Sequence, residues 1–562
     1  MHTERKFSAK SPVFSLRMAS AETPRSSLLF FPLAVIAAAA FCVVLPFCWL
    51  GIPSGHDFEF HFNSWLEVVA HWKESVAYPH WAALAHYGYG EARFIFYPPI
   101  SWIVGALLGL VLPWKLVPAA YIWVALTLCG SSMFLLARRR LSRNDALIAA
   151  VIYAANPYHL VIVYWRSAMA ELLAAACLPL LLLLILQAKD DGRRVVAPLS
   201  LLLAAGWLTN IPTAVMMNYS LAALALWIAI SRRSWKVLVY AALAVALGAA
   251  LSSFYLLPVF RQRTWVNIGE VLAPGVRPVD NFLFMVVNDP DHNRFNRLVS
   301  VVALCEIVIV AVLLLISRRN RDQTLWRSLL IWGLMCSALM INITLPLWTH
   351  LPELRYVQFP WRWLLCLNVV FALGIVIGFQ RWWPRALICL LALGSVVWVW
   401  QRVLPPWWDT SGDIQEMIDN QQDGVGNEGI DEYVPAGADP YDLDQNAPKA
   451  MYRGKGTAKI VVNTWATEKR IVVANTTSAG TLVLRTLYYP LWETKVNGRV
   501  IYTGTTEKHE IAVPVEAGEN RVELTFVDDW DRRFGAAISA LALLVIGIFY
   551  ISRRKPDAFH QP

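Results

Sequence analysis

The sequence predicts a polytopic α-helical membrane protein that carries a C-terminal antiparallel β-sandwich. Of its 562 residues, 57% are hydrophobic and 16% are charged, whereas a soluble globular protein has about 25% charged residues. Apolar runs long enough to cross a bilayer recur along most of the chain, and a stretch of alternating residues separated by turn signals lies near its end. These three observations exclude an ordinary soluble enzyme.

Six basic clusters each follow an apolar run, and we place them all in the cytoplasm because Lys and Arg collect on that side of a membrane. The clusters are Arg138–Arg140, Lys189 with Arg193 and Arg194, Arg232 with Arg233 and Lys236, Arg318 with Arg319 and Arg321, Arg381 with Arg385, and Arg553–Lys555. About twelve spans follow, near residues 28–50, 116–137, 145–161, 171–188, 195–210, 213–231, 236–257, 299–316, 325–344, 362–380, 385–402 and 535–552.

The spans divide the chain into a transmembrane domain at 28–402, an outer β-rich domain at 403–534 and a final span at 535–552. Cytoplasmic tails at 1–27 and 553–562 flank them, so that both termini lie inside. The segments left outside are 51–115, 162–170, 258–298, 345–361 and 403–534. The apolar stretch 98–112 is short for a crossing, and we interpret it as a helix that dips into the outer leaflet.

The outer domain is predicted to begin with a loop rich in Asp, Asn and Gly, from Trp408 to Asn446. Between Leu404 and Gly535 there are 13 basic and 21 acidic residues, so an acidic domain is attached to a basic membrane part. Alternating apolar and polar residues predict short strands at Ala458–Asn463, Arg470–Ala474, Thr481–Leu487, Glu510–Val515 and Arg521–Val527. Strands of this length and spacing favour an antiparallel β-sandwich.

The composition also limits the partners and cofactors. All eight cysteines lie in apolar runs, so neither a disulfide framework nor a cysteine metal site is indicated. The basic excess is explained by cytoplasmic loops, and we predict the lipid bilayer as a partner and no nucleic acid.

The loop after the first span alternates ionisable and aromatic residues from Gly55 to Trp65. Desolvation by the neighbouring phenylalanines would raise the pKa of a carboxyl group there toward the value useful for a general base, which makes Asp57 and Glu59 catalytic candidates. The alternative is a solvated interfacial loop whose carboxylates face water. His56, Asp57 and His61 are also residue types that bind metals, but no third His or Cys cluster accompanies them. A divalent metal is therefore possible but not indicated, and we predict no cofactor.

Later outer segments add cations and further polar groups. Tyr158, His159, Arg166 and Glu171 lie where two helices emerge, either as a functional group or as an ion pair that holds the helix ends together. The loops 258–298 and 345–361 carry Arg261, Arg263, Arg277, His292, Arg294, Arg297, Arg355, Gln358 and Arg362. Arginines in outer loops are unusual, because Lys and Arg prefer the cytoplasmic side of a membrane. We therefore expect an anionic partner on the outer side, such as the phosphate of a lipid carrier.

Several motifs resemble a known superfamily. These are Gly55-His56-Asp57, the run Phe96–Ile100, and Arg166 with Glu171, in a chain with many helices and a terminal outer domain. The combination resembles the GT-C superfamily of integral-membrane glycosyltransferases. More narrowly, Phe359–Arg362, Glu432–Pro435, and Tyr489–Glu493 followed by Asn497-Gly498 are similar to bacterial membrane proteins described as 6-pyruvoyl-tetrahydropterin-synthase-related.

The resemblance implies an inverting transferase in the bacterial cytoplasmic membrane that moves a sugar from a polyprenyl-phosphate carrier to a glycan or envelope-polymer acceptor on the outer face. It implies Asp57 as the general base, with Glu59 and Glu171 as the other catalytic acids. Glu59 shares a face with Asp57 only if the segment is extended and not helical. The expected substrate-binding residues are His56, His61, Arg93, Tyr97, Arg166, Arg355, Gln358 and Arg362.

A protein that binds or transports lipid-linked saccharides without catalysis is the alternative. Transporters carry polar or charged residues within their spans. Apart from Glu306 and Asn342, the predicted spans are nearly free of them, which favours the enzyme.

Overall fold

The computed structural model describes residues 27–319 and 322–551. The predicted cytoplasmic tails lie outside these residues, except for Ser27, as do Arg321 and the cluster Arg553–Lys555. Within the described residues the chain is mostly helical, with strands concentrated in its last quarter. This architecture confirms the predicted fold class of a helical membrane part followed by a β-sheet region.

Eleven α-helices lie between residues 27 and 209 of the described chain. They are α1 (Ser27–Val44), α2 (Phe47–Leu50), α3 (Phe58–Lys73), α4 (Ala85–Gly88), α5 (Arg93–Phe96), α6 (Pro99–Val111), α7 (Val117–Arg138), α8 (Arg143–Ala154), α9 (Pro157–Val161), α10 (Met169–Ala175) and α11 (Cys177–Thr209). Local sequence explains where some of them begin. Ser142 caps α8 by accepting from the N–H of Asp145, and Asn156 caps α9, whose first residue is a proline.

Ten more helices follow. They are α12 (Ile211–Arg232), α13 (Lys236–Leu251), α14 (Ser253–Gln262), α15 (Pro290–Ile316), α16 (Gln323–Leu339), α17 (Leu345–His350), α18 (Leu364–Gly378), α19 (Trp382–Trp400), α20 (Ser411–Asp423) and α21 (Trp530–Ile551). Helix α20 lies in the stretch 408–446 that the sequence predicts to be a loop. It forms because Thr410 and Asp413 build a capping box and Gly424 ends the helix at a φ of 71°.

Eight helices among the described residues are long and apolar enough to cross a membrane, or ten if each of two bent pairs is one span. The bends lie between α13 and α14, at 76°, and between α16 and α17, at 90°. The predicted number of twelve is not reached on these criteria. The continuous helix α11 accounts for part of the difference, because two spans were predicted at 171–188 and 195–210. The charged residues between them are compatible with a helix and do not interrupt it.

The predicted dipping segment 98–112 is α6, a helix of 13 residues, which is shorter than a typical membrane crossing. It packs beside α3, where Gly105 leaves room for the indole of Trp65. The predicted outer segment 162–170 is a short connection between helices and not an extended loop. A π turn at Ile162–Arg166 leads through Ser167, at a φ of 50°, into α10.

The C-terminal part is an antiparallel sandwich of two sheets. Strands β1 (Ile52–Pro53) and β2 (Trp408–Asp409) do not belong to the sandwich and form a separate two-stranded ribbon. The others are β3 (Ala450–Gly454), β4 (Ala458–Trp465), β5 (Lys469–Thr476), β6 (Gly480–Leu487), β7 (Trp492–Val496), β8 (Arg499–Ile501), β9 (Gly504–Thr505), β10 (Glu510–Val515) and β11 (Gly518–Phe526). The sheet orders are β3-β6-β10-β9 and β4-β5-β11-β7-β8. All five predicted strands are present.

The sandwich is packed directly against the loop 51–115. Trp81, Tyr89 and Phe96 of this loop belong to the same hydrophobic core as Leu484 of β6 and Leu524 of β11. Burial of such aromatic rings is a large stabilising contribution. The loop that carries the candidate carboxylates is therefore held between the helices and the β-domain.

Candidate functional site

A cavity of about 810 Å³ lies where helix ends, the loop 51–115 and the segment before the sandwich meet. Its polar walls include His56, Asp57, Tyr97, Arg166, Glu171, Arg263, Glu270, His292, Glu353, Gln358, Arg362, Glu432 and Tyr433. Its apolar walls include Trp207, Ile211, Pro212, Val215, Leu256, Val259 and Phe260. This volume and mixed lining are typical of a ligand-binding site.

The buried carboxylate of Glu171 organises one wall of the cavity. Its Oε2 accepts from Arg166 Nη1 at 2.6 Å and from Arg362 Nε at 3.0 Å, while its Oε1 accepts from the Tyr158 hydroxyl at 2.7 Å. Arg362 also donates to Gln358 Oε1 at 2.9 Å. Two guanidinium groups therefore share one carboxylate, which leaves a positive charge at the wall of the cavity.

The π turn places Asp57 next to Arg166. The N–H of Asp57 donates to the carbonyl oxygen of Arg166 at 3.0 Å, and the N–H of Gly55 donates to Ser167 Oγ at 3.0 Å. Only glycine fits at position 55, because a Cβ there would lie 2.6 Å from the carbonyl carbon of Arg166. The sequence Gly55-His56-Asp57 thus brings a carboxylate beside the cationic wall.

Asp57 immediately precedes helix α3 and is partly buried. Its carboxylate makes no capping bond, and within the described parts of the chain it has no hydrogen bond or ion pair. Glu59 lies in the first turn of α3, is exposed and does not line the cavity. Because this segment is helical, residues two apart point in different directions, so Asp57 and Glu59 do not face the site together.

The two predicted histidines differ in position. His56 lines the cavity, where desolvation and the positive charge of Arg166 lower its pKa. His61 is buried behind the cavity wall against Tyr97 and Trp65. Burial lowers the pKa of His61 to about 4, so this ring is neutral at pH 7.

The predicted arginines and neighbouring residues separate into two groups. Tyr97, Arg166, Gln358 and Arg362 line the cavity, whereas Arg93 and Arg355 do not. Arg93 is buried and donates from Nε to Glu91 Oε1 at 2.5 Å and from Nη1 to Ser64 Oγ at 3.0 Å. Its guanidinium lies over the ring of Phe60, 4.8 Å from the centroid, so Arg93 supports a cavity-lining ring from behind.

The exposed Arg355 stacks on Tyr356, with 5.0 Å between its guanidinium carbon and the ring centroid. Tyr356 itself lines the cavity.

Burial raises the pKa of Tyr97 well above its ordinary value, so its phenol is protonated and can donate a hydrogen bond.

The segment before the sandwich contributes Glu432 and Tyr433, which the sequence analysis did not include among the site residues. Burial, with smaller contributions from the charges of Glu91 and Asp57, raises the pKa of Glu432 to about 7. Tyr433 stacks on Phe96 with ring centroids 6.3 Å apart and planes at 6°. The motif Glu432–Pro435 was visible in the sequence, but nothing in a loop without periodicity predicts which distant segments it contacts.

Backbone hydrogen bonds fix this segment over the cavity on two sides. The N–H of Ile430 donates to Glu91 Oε2 at 2.8 Å, and the N–H of Ala92 donates to the carbonyl oxygen of Tyr433 at 3.3 Å. On the other side, the N–H of Asn267 donates to the carbonyl oxygen of Val434 at 2.9 Å. Glu432 is thereby positioned by the loop 51–115, although it is more than 300 residues away in sequence.

Within residues 27–319 and 322–551, no group of three or more His, Cys, Asp and Glu side chains could hold a metal ion. The cavity brings together an unpaired carboxylate, two guanidinium groups, a neighbouring His, a second carboxyl group and several aromatic rings. Such a set can bind an anion and accept a proton in the same cavity.

Solved structures give matches at low identity. The arabinofuranosyltransferase AftD from Mycobacteria is 17% identical with a TM-score of 0.41, and the match covers 66% of this chain and 27% of that one. The apo oligosaccharyltransferase of Archaeoglobus fulgidus is 14% identical with a TM-score of 0.40, over 71% of this chain and 57% of that one. The matched region thus spans about a quarter of the first protein and less than two thirds of the second. No curated protein matches the chain.

A family comparison gives a match to the sequence itself. The family described as the 6-pyruvoyl-tetrahydropterin synthase related domain, a membrane protein, matches residues 94–404. This is more than half of the chain, and it includes α6 to α19 with the cationic wall of the cavity. The protein belongs to this family of 6-pyruvoyl-tetrahydropterin-synthase-related membrane proteins.

Proposed function

We propose that the protein is a membrane glycosyltransferase that moves a sugar from a polyprenyl-phosphate donor to a hydroxyl group of an acceptor. The observation that carries this proposal is the unpaired carboxylate of Asp57 beside Arg166 and Arg362 in a cavity of about 810 Å³. Glycosyl transfer from a phosphate requires both groups: a base for the acceptor and cations for the departing phosphate.

The donor phosphate is assigned to the wall formed by Arg166 and Arg362. Their guanidinium groups share the carboxylate of Glu171 at the cavity wall, and a guanidinium group has enough N–H donors to bind the oxygens of a phosphate as well. In this role Glu171 is a positioning residue, because its carboxylate already accepts three hydrogen bonds and is not available as a base. Gln358 and Tyr97 add donors along the same wall.

The reaction then proceeds by direct displacement. Asp57 accepts the proton of the acceptor hydroxyl as its oxygen forms a bond to the anomeric carbon. The bond between that carbon and the phosphate oxygen breaks, and its electron pair stays on the phosphate, where the two guanidinium groups stabilise the charge. The anomeric configuration is inverted because the acceptor enters opposite the leaving group.

The apolar wall of the cavity suits the isoprenoid chain of the donor. Trp207, Ile211 and Val215 come from the junction of α11 and α12, and Leu256 and Phe260 come from α14. Phe260 is 63% exposed. An exposed aromatic ring at the rim of an apolar cleft is expected where a lipid chain passes between the bilayer and the site.

The acceptor is assigned to the side formed by Phe60, Tyr97, Glu432 and Tyr433. Flat aromatic faces beside a carboxyl group suit the apolar face and hydroxyl groups of a sugar. We propose a glycan or envelope polymer as the acceptor, on the outer face of the bacterial cytoplasmic membrane. Both termini would then be cytoplasmic, with the β-domain outside.

The function is tested by mass spectrometry of lipid-linked sugars and surface glycans in cells with and without the gene. We expect one polyprenyl-phosphate sugar to accumulate on deletion and one glycan substituent to disappear. Restoration of both by the wild-type gene is the control. Unchanged levels of every lipid-linked sugar and every surface glycan would contradict the proposal.

Transfer is expected to depend on pH through Glu432. With a pKa of about 7, the group is mostly protonated below pH 7 and mostly ionised above it, and the ionised carboxylate accepts a hydrogen bond from the acceptor more strongly. The transfer rate should therefore rise as the pH increases through 7 in the wild type, and this rise should be smaller in Glu432→Gln. The measurement is the initial rate between pH 5.5 and 8.5, in steps of half a unit.

The exposed Glu428, on the same segment, provides the control for this measurement. Glu428→Gln should keep the wild-type pH profile. An identical profile in Glu432→Gln and the wild type would exclude Glu432 from acceptor binding.

One observation favours the alternative of a transport protein. Glu306 lies in α15 with its carboxyl group buried, and neither oxygen has a hydrogen-bond partner among the described residues. Ionisable groups inside membrane spans often mark transport pathways. If Glu306→Gln blocked the appearance of the saccharide outside while Asp57→Asn did not, transport would replace transfer as the function.

A further inference from the structure

A second group of cations lies in the β-domain, and none of its members lines the cavity. Arg470 is the second residue of β5, Arg485 is on β6 and Lys449 precedes β3. We call these three residues and Trp465 the β-domain basic cluster. Although the domain is acidic overall, none of the three cations has a salt bridge to a described carboxylate. Three cations without such salt bridges therefore lie together in a domain whose net charge is negative.

Arg470 is the most unusual member of the cluster. Its side chain is 1% exposed, and none of its three guanidinium nitrogens has a hydrogen-bond partner. The group lies between the rings of Trp465 and Trp492, at 4.7 and 4.8 Å from their centroids. Both rings contact the guanidinium group, but they leave its N–H donors unsatisfied. A buried charge without a partner is strongly unfavourable.

Other unsatisfied donors come from the same interior. The indole N–H of Trp492 and the hydroxyls of Thr494 and Thr486 are buried without a partner. Trp492 and Thr494 lie on the same face of β7, and Thr486 lies on the core-facing side of β6 with Leu484. Each of these groups can donate a hydrogen bond, so an acceptor is the chemistry that would satisfy them.

The other two cations, Arg485 and Lys449, lie nearer to the protein surface than Arg470. Arg485 donates to the carbonyl oxygen of Ala447 and lies against Gly88, whose φ of 90° and missing side chain make room for it. Lys449 is exposed and lies over the ring of Trp465, 5.9 Å from its centroid. Trp465 is partly exposed, so an aromatic face and a cation are available at the rim.

The nearest acidic side chain does not neutralise Arg470. Glu74, after α3, accepts from the N–H and hydroxyl of Thr467 at 2.9 and 2.6 Å. Burial and the positive charge of Arg485 together lower the pKa of Arg470 to about 9, and Glu74 offsets this only in part. Arg470 is still charged at pH 7 and would gain from a nearby anion.

We propose that the β-domain basic cluster is a binding site for an anionic saccharide, in which Arg470 and Arg485 bind a carboxylate or phosphate group and Trp465 stacks on the sugar ring. Arginine suits such anions because its fork of donors matches their oxygens, and a tryptophan face suits a sugar. The site is separate from the cavity, and the proposal does not depend on the transfer reaction.

Binding is tested on the full-length protein in detergent, by following its thermal unfolding temperature at constant ionic strength. The probes are glucuronate, glucose 6-phosphate, glucose and inorganic phosphate. A ligand that binds only the folded protein raises this temperature in a concentration-dependent way. We expect a saturable rise with glucuronate or with glucose 6-phosphate, and the comparison of the two distinguishes a carboxylate from a phosphate.

Variants separate binding from a purely structural role of Arg470. Arg470→Met removes the buried charge and keeps contact with both rings, so we expect an equal or higher unfolding temperature without ligand and no response to the probes. Lys449→Gln, at the exposed rim, should weaken the apparent Kd about fivefold. The exposed Arg499 in β8 gives the control, since Arg499→Met should respond like the wild type.

Three outcomes would overturn the proposal. The first is the absence of any response in the wild type. The second is an unchanged response in Arg470→Met with a lower unfolding temperature, which would make Arg470 only a structural element between two rings. The third is equal binding of inorganic phosphate and the sugar probes, which would exclude recognition of the saccharide.

Discussion

Asp57→Asn is expected to abolish sugar transfer while leaving expression and thermal unfolding unchanged. The carboxylate is the unpaired acid beside the cationic wall, and its amide analogue cannot take the proton of the acceptor hydroxyl. Loss of a general base lowers a rate by about 10²–10⁴-fold. Because the side chain makes no hydrogen bond to the described residues and the replacement has the same shape, the fold should tolerate it. The measurement is the initial rate of sugar transfer by purified protein.

Two further variants complete this test. Asp423→Asn, an isosteric change at an exposed position of α20, should retain wild-type transfer and serves as the control. Glu59→Gln should also retain most of the activity, because Glu59 is exposed and directed away from the cavity. Unchanged transfer by Asp57→Asn would reject Asp57 as the base, and a loss confined to Glu59→Gln would assign that role to Glu59.

Glu171→Ala should have the largest effect on stability. The change leaves Arg166 and Arg362 buried without their shared carboxylate and removes the acceptor of the Tyr158 hydroxyl. Removal of one partner from a buried ion pair costs about 3–5 kcal/mol, because the remaining charge is left without compensation. We expect a lower thermal unfolding temperature and complete loss of transfer, since the guanidinium groups no longer have fixed positions.

The matched control for this change is Glu270→Ala. Glu270 also lines the cavity, but it is exposed and has no salt bridge within the described segments. Its replacement should leave the unfolding temperature within the range of ordinary surface substitutions, about ±0.5 kcal/mol. If Glu171→Ala were as stable as Glu270→Ala, the cluster around Glu171 would not be a structural centre of the site.

Much of the helical architecture was predictable because it follows from local composition. Apolar runs and basic flanks gave the approximate positions of most spans, and period-2 alternation gave the strands of the sandwich. The exceptions have local causes too. The capping residues of α20 were present in the sequence, but the surrounding Asp, Asn and Gly were interpreted as a loop. At 189–194 a charged run was predicted to separate two spans on the cytoplasmic side, although charged side chains do not stop a helix.

The candidate site was predictable only in part. Asp57, Arg166, Glu171 and Arg362 could be selected because charged residues near apolar helices are costly and need a reason. Their mutual contacts could not be derived, because they depend on how α9, α10 and the region before α18 pack. Arg93 illustrates the limit, since its sequence context resembles that of a ligand-binding arginine while its real partners are Glu91 and Ser64.

Glu432 was missed for a different reason. Its importance comes from the hydrogen bonds of Ile430 and Tyr433 to the loop 51–115, which join segments far apart in sequence. Such contacts leave no periodic pattern in a single sequence. The raised pKa of Glu432 is likewise a property of its burial in the assembled protein, not of the surrounding residues in the chain.

The ribbon of β1 and β2 has a consequence for biogenesis. Ile52 of β1 pairs with Asp409 of β2, and Pro53 pairs with Trp408. The loop that bears Asp57 can therefore make this pairing only after the ribosome has synthesised the chain through residue 409. The nascent chain can insert many of its helices into the membrane before the site around Asp57 has formed. Fragments truncated ahead of residue 408 lack β2, so we expect them to insert into the membrane without forming the site around Asp57.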